Sequence, residues 1–129
     1  MGTYKGGADH YHSISENIPI VIKDYPLFNG LFGELGEGRS LAIRNIKSDD
    51  PQATAKDFYD KLGHGGIESK LYYKDGSVKG LRVKMADGSV LNWRPVSSSP
   101  DKSPAVDISV ETSDNHGNIV TQKIHFIKR

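Results

Sequence analysis

The chain has no cysteine. Disulfides, thiolate zinc sites, iron–sulfur clusters and thiol nucleophiles are therefore excluded, and redox compartment leaves no mark. Long hydrophobic runs are missing too: nothing approaches the ~20 apolar residues of a membrane-crossing helix, and the first residues do not resemble a signal peptide. Neither sign of charge prevails, with 17 Lys and Arg against 16 Asp and Glu for a net +1. What remains is 129 residues, 36% hydrophobic, with 14 glycines. That length suits one domain, or a small domain with an ordered arm, and it can bury a core without staples.

Near-neutrality argues against a polyanionic partner only if the charges are evenly spread. They are not. Residues 1–52 hold five basic and seven acidic side chains, whereas residues 53–129 hold twelve basic and nine acidic. Between Lys70 and Lys102 seven Lys or Arg face three Asp. A basic C-terminal part is the composition expected of a domain that meets a polyanion, although shifts of this size also arise by chance.

Along the chain, the first 17 residues lack periodicity and read as an arm. His10 and His12 have metal-ligand spacing but no completing ligands, so they read as an exposed pair. Ile18–Lys23 (IPIVIK) is a short β-rich run. Residues 24–38 read as an irregular loop or short helix lying on a core, and Leu41–Ile46 as extended. The clear helix follows: Ser48 or Asp49 as cap, Pro51 in the first turn, Ala53, Ala55, Phe58, Tyr59 and Leu62 on one face, an Asp57–Lys61 pair, and Gly63 as stop. After Gly66 the period changes to two. Asp-Gly turns at residues 74–77 and 86–89 separate strands at 68–73, 78–85 and 90–96, and further strands follow at 105–111 and 119–127. The expected fold is α+β: an N-terminal helical or irregular segment and one helix packed on a twisted antiparallel sheet of about five strands.

Strand alternation sorts side chains by face. Arg94 and Ser98 oppose Leu91 and Trp93, Asp107 opposes Val106 and Ile108, and Lys123 and His125 oppose Ile124 and Phe126. If these strands are neighbours, Arg94, Ser98, Asp107, Lys123 and His125 share one concave polar surface. That set suits phosphodiester chemistry on RNA. A histidine titrates near neutral pH, Arg and Lys stabilise charge on the phosphorane, and the substrate's 2′-hydroxyl is the nucleophile. His64, after the helix, is a second candidate acid or base, and His116 reads as a turn residue. The same alternation is also what any sheet with one wet face shows, so the pattern alone equally admits a plain solvated surface.

The segments ATAKDFYDKLGHGG (53–66), KMADGSVLNWRPVSSS (84–99), SPAVDI (103–108) and QKIHFI (122–127) together resemble the C-terminal nuclease domains of bacterial polymorphic toxins. The likeness is to the toxin tips of contact-dependent growth inhibition proteins (CdiA-CT), of the barnase/EndoU/colicin/RelE (BECR) group. It covers roughly residues 49–129 and implies a ribonuclease toxin domain there, with residues 1–48 an arm or linker packing on it. It further implies metal-independent endoribonuclease activity without a cofactor, tRNA as substrate, help from EF-Tu in some cases, and a cognate CdiI-like immunity protein. Delivery would be as the C-terminus of a larger secreted or cell-surface protein, with action in the target bacterium's cytoplasm and no stable membrane association. Carried over position by position, the catalytic set is His125, Arg94, Lys123, Ser98 and Asp107. Substrate contacts fall to Ser97, Ser99, Lys84, Lys56 and His64. The competing expectation is a non-catalytic, β-rich protein-binding module.

Overall fold

In a computed structural model, the structure describes residues 13–28, 30–36, 43–98, 100–109 and 121–129. Helix α1 (Ile14–Val21) starts at Ser13, whose Oγ accepts the Glu16 amide at 3.2 Å. It contains most of the run expected to be a strand, despite its β-branched residues and Pro19. Burial decides the matter: Ile14, Asn17 and Val21, at i, i+3 and i+7, form the covered side, and such a stripe outweighs local propensity. The Asn17 side-chain amide then donates to the carbonyls of Leu62 (2.8 Å) and His64 (3.0 Å). Asn17 thereby ties α1 to the C-terminal end of the second helix, where the intrahelical ladder stops.

Strands β1 (Leu27–Phe28), β2 (Leu31–Phe32) and β3 (Glu34–Leu35) follow, then β4 (Ile43–Ser48) and α2 (Pro51–Leu62). Asp50 caps α2 by accepting the Ala53 amide at 3.2 Å, with Pro51 at the first position and Gly63 as C-cap. The Asp57–Lys61 pair forms at 3.1 Å. Strands β5 (Ile67–Tyr72), β6 (Val78–Lys84), β7 (Val90–Arg94), β8 (Ala105–Ser109) and β9 (Gln122–Lys128) complete the fold.

The main sheet has seven strands in the order β3-β4-β9-β8-β7-β6-β5, rather than about five. The α+β class and the antiparallel run β5 to β9 are as expected; the additional strands are β3 and β4. β4 pairs with β9 in parallel, with Arg44 beside Ile124 and Asn45 beside His125. Parallel neighbours have no tight turn between them and so leave no local signal. Residues 43–48 thus lie inside the sheet, and Ile14, Val21 and Phe32 lie in the core.

Helix α2 carries the chain beneath the sheet from β4 to the opposite edge at β5. Five inter-strand gaps amount to ~24 Å, and a twelve-residue helix covers ~18 Å of that. Residues 63–66 close the rest. Gly66 permits the close approach: a Cβ there would stand 2.3 Å from Val83 Cγ1 and 2.7 Å from Met85 Sδ. Between helices and sheet lies the core, centred on Phe58. Its ring meets Tyr25, Phe32 and Phe126 at centroid distances of 5.2, 5.0 and 5.6 Å. Gln122, also buried, ties β2 to β9: its Oε1 accepts the Phe32 amide (3.1 Å) and its Nε2 donates to the Phe32 carbonyl (2.9 Å). No described helix is long and apolar enough to cross a membrane.

Candidate functional site

β7, β8 and β9 are adjacent, and their registers define a grid on the face turned away from α2. One row runs Arg82, Asn92, Asp107, Lys123 across β6 to β9. The next row, two residues along each strand, runs Arg94, Ala105, His125, Asn45 across β7, β8, β9 and β4. Neighbouring strands are ~4.8 Å apart and same-face residues on one strand ~7 Å apart. Arg94, Asp107, Lys123 and His125 therefore share one small area.

Each has a definite setting. Arg94 Nη2 meets Asp107 Oδ2 at 3.3 Å, with both side chains partly buried. Asp107 is thus the ion-pair partner of the arginine. The Arg94 Nε is buried and has no hydrogen-bond partner among the described residues. His125 Nδ1 lies 3.3 Å from Ser103 Oγ. Partial burial holds the His125 pKa below the ordinary histidine value. The Lys123 charge acts the same way, as does Arg94 more weakly, against Asp101 and Asp107, which push it up. This histidine favours the neutral ring at pH 7.

Ser103 was not singled out from sequence, yet it touches His125. It closes a turn in which Asp101 Oδ1 accepts the Ser103 amide at 3.0 Å. The Ser97 amide donates to the Ser103 carbonyl at 3.1 Å, and the Phe126 amide to the Pro104 carbonyl at 2.9 Å. The loop between β7 and β8 is thereby fastened to both the end of β7 and β9. The turn repeats two others: Asp75 accepts the Ser77 amide and Asp87 the Ser89 amide, each at 2.9 Å. Between Asp and Ser those turns have Gly76 and Gly88 at φ 91°, whereas the third has Lys102 at φ 57°.

The remaining candidates are spread out. Ser97 is buried at the base of the loop, and Ser98 is exposed beyond the end of β7. Ser99 lies outside the described residues, as do His10, His12 and His116. Lys84 is on the same face but further along β6 than Arg82, on the side away from Arg94. There it lines a separate cavity of about 510 Å³ with Ile67 and Ser69. Lys56 sits on the helix side, 5.8 Å from the Trp93 ring centroid and 2.7 Å from Asp60. His64 is exposed just after α2. Among the described residues no three His, Asp or Glu side chains converge as a metal-binding set.

No family model, curated protein or solved structure matches this chain. The resemblance to growth-inhibition toxins rests on the sequence motifs alone, and any assignment of chemistry rests on the grid.

Proposed function

We propose that this chain is an antibacterial toxin domain, a metal-independent endoribonuclease that cleaves tRNA and is neutralised by an immunity protein. The observation that carries the reading is the placement of Lys123 and His125 on the outer face of β9 beside the Arg94–Asp107 pair. When His125 Nδ1–H donates to Ser103 Oγ, Nε2 keeps its lone pair, the form of a general base. His125 then takes the proton of the 2′-hydroxyl. The 2′-oxygen bonds to phosphorus, the bond from phosphorus to the 5′-oxygen breaks, and the Lys123 ammonium protonates the leaving oxygen. The products are a 2′,3′-cyclic phosphate and a 5′-hydroxyl. Arg94, held by Asp107, neutralises charge on the phosphorane. The substrate supplies its own nucleophile, so the scheme requires no cofactor.

Activity of this kind in the producer's cytoplasm demands an inhibitor. An acidic immunity protein laid over the basic face is the complement expected on electrostatic grounds. The test is induced expression without inhibitor, followed by northern blotting of tRNAs and mapping of the new chain ends. Growth arrest with a discrete tRNA fragment ending in a cyclic phosphate is the expected result. His125→Ala should lower cleavage by about 10²–10⁴-fold. A 3′-hydroxyl end, or full toxicity of His125→Ala, would overturn the assignment.

One feature favours a non-catalytic binding module instead. β5 is an edge strand, and Ile67 and Tyr72 are 75% and 57% exposed. Such an edge accepts an added strand from a partner. Intact tRNA pools at every dose would select this reading.

A further inference from the structure

At the β6–β7 end of the grid, on the side away from His125, residues of β5 to β8 enclose a depression of about 170 Å³. It is lined by Leu71, Lys79, Arg82, Asn92, Arg94 and Asp107. Three cations face one carboxylate there, and that carboxylate already pairs with Arg94. Two features of the backbone build this hollow. The β5–β6 ladder shifts register, so that Leu71 opposes Gly80 while Tyr72 opposes Val78. Lys79 is the extra residue. Strict alternation would send it to the inner face with Leu81; a bulge re-aims the side chain, and Lys79 lines the depression. Opposite, Gly80 contributes no side chain. A Cβ there would stand 2.0 Å from the Trp93 carbonyl oxygen, so β7 lies hard against this point.

The polar groups are arranged for an anion. Arg82 Nε donates to Asn92 Oδ1 at 3.0 Å, which holds the guanidinium across the β6–β7 pair. Arg94 lines the same depression, its guanidinium paired through Nη2 with Asp107. Lys79 Nζ stands 5.9 Å from the Tyr73 ring centroid, and Tyr73 is 48% exposed. The backbones carrying Arg82 and Lys123 are three strands apart, hence ~14 Å, room for more than one phosphate of an extended strand.

We propose that this depression is a second phosphate subsite, which holds a backbone phosphate of single-stranded RNA flanking the phosphate at His125 and Lys123. The inference rests on the ribonuclease reading for the identity of the chain it binds. The strand then crosses the sheet perpendicular to β6–β9, from Lys123 over Arg94 to Arg82, with Tyr73 at the far rim as a surface on which a base can stack. Cleavage depends on His125, whereas grip at this second point depends on Lys79 and Arg82.

The experiment measures binding of a labelled, uncleavable 2′-O-methyl oligonucleotide to the whole chain over a range of salt. Lys79→Gln/Arg82→Gln should weaken binding by about ten-fold. It should also flatten the slope of log K against log[salt] by about 0.7, the value for one lost single-strand phosphate contact. Arg82→Lys, which keeps the charge, should retain most of the slope, and so should His125→Ala. An unchanged slope in the double variant overturns the subsite, as does a parent chain that does not bind the oligonucleotide. Displacement by poly-L-glutamate at equal charge concentration overturns the phosphate assignment in favour of an acidic polypeptide. If the slope falls but the parent chain cuts no RNA, the subsite stands and the ribonuclease reading fails. If His125→Ala abolishes cleavage while the slope is unchanged, the reverse holds.

Discussion

On β9, Gln122, Ile124 and Phe126 are buried against the helices, while Lys123 and His125, alternating with them, stay partly exposed on the other side. On β7, Leu91 faces in and Asn92 and Arg94 face out. The two faces share a backbone and differ in what a side chain is asked to do. Inside, shape decides: Gln122 is accepted with both ends of its amide used, while the buried Trp93 Nε1 has no partner among the described residues. Outside, the side chains are chemically varied, and an ion pair between Arg94 and Asp107 is kept partly buried. A face built only to be wet has no need to bury part of an arginine and, two strands away, part of a histidine, since burying such groups costs free energy.

Removing the centre of the inner face tests it most severely. Phe58→Ala takes away three ring contacts and should destabilise the fold by about 3–5 kcal/mol, read as a loss of urea midpoint at constant slope. A smaller change attacks hydrogen bonding. Gln122→Ala leaves the amide and carbonyl of Phe32 buried without their partner and should cost about 2–3 kcal/mol. Its effect should appear first as faster hydrogen exchange around β1 and β2. If the exchange pattern there is unchanged, the N-terminal strands are held by something other than this side chain.

The same comparison explains what could be read from sequence. Alternation in β7, β8 and β9, with the Asp-Gly turns, identified both faces. The turn at 86–89 even contains the pairing of Arg82 with Asn92, since a tight hairpin fixes register outward from its loop. Three features left no such trace. β4 enters the sheet by parallel pairing with a strand some eighty residues away. α1 forms against its own β-branched sequence because Ile14, Asn17 and Val21 are buried. Ser103 reaches His125 only because the 97–104 loop is tied down on both sides. Among the serines, the sequence emphasised the run 97–99; the structure puts Ser103 on the histidine.

Lys102 sharpens the contrast at the outer face. Two turns of the same Asp-x-Ser form use glycine at positive φ, which is what the backbone favours. Lysine in that conformation costs about 1–2 kcal/mol, offset in part by the entropy glycine loses on folding. Lys102→Gly should therefore raise stability by up to about 1 kcal/mol by thermal melting. A strained backbone at a lysine beside Ser103 raises the question of a use for its charge. If the residue serves only the fold, the variant binds RNA as well as the parent; weaker binding by the more stable protein would tie Lys102 to function.

The smallest expected effect concerns protonation of His125. Its folded-state pKa lies below the ordinary value because of partial burial and the Lys123 charge, with Arg94 adding to this and Asp101 and Asp107 opposing. The unfolded chain therefore takes up a proton at this site before the folded one does. Its stabilising contribution is full above the unfolded value near 6.5 and is lost as pH falls through the lower folded value. Melting temperatures of the parent and of His125→Gln, compared between about pH 7.5 and 5, isolate this histidine because the other ionisable groups are common to both. The parent should lose stability relative to the variant on acidification. A gain would mean that Asp101 and Asp107 outweigh Lys123 and burial. The ring would then carry more of the cation near neutral pH than a free histidine does, which suits the acid of the proposed reaction better than its base.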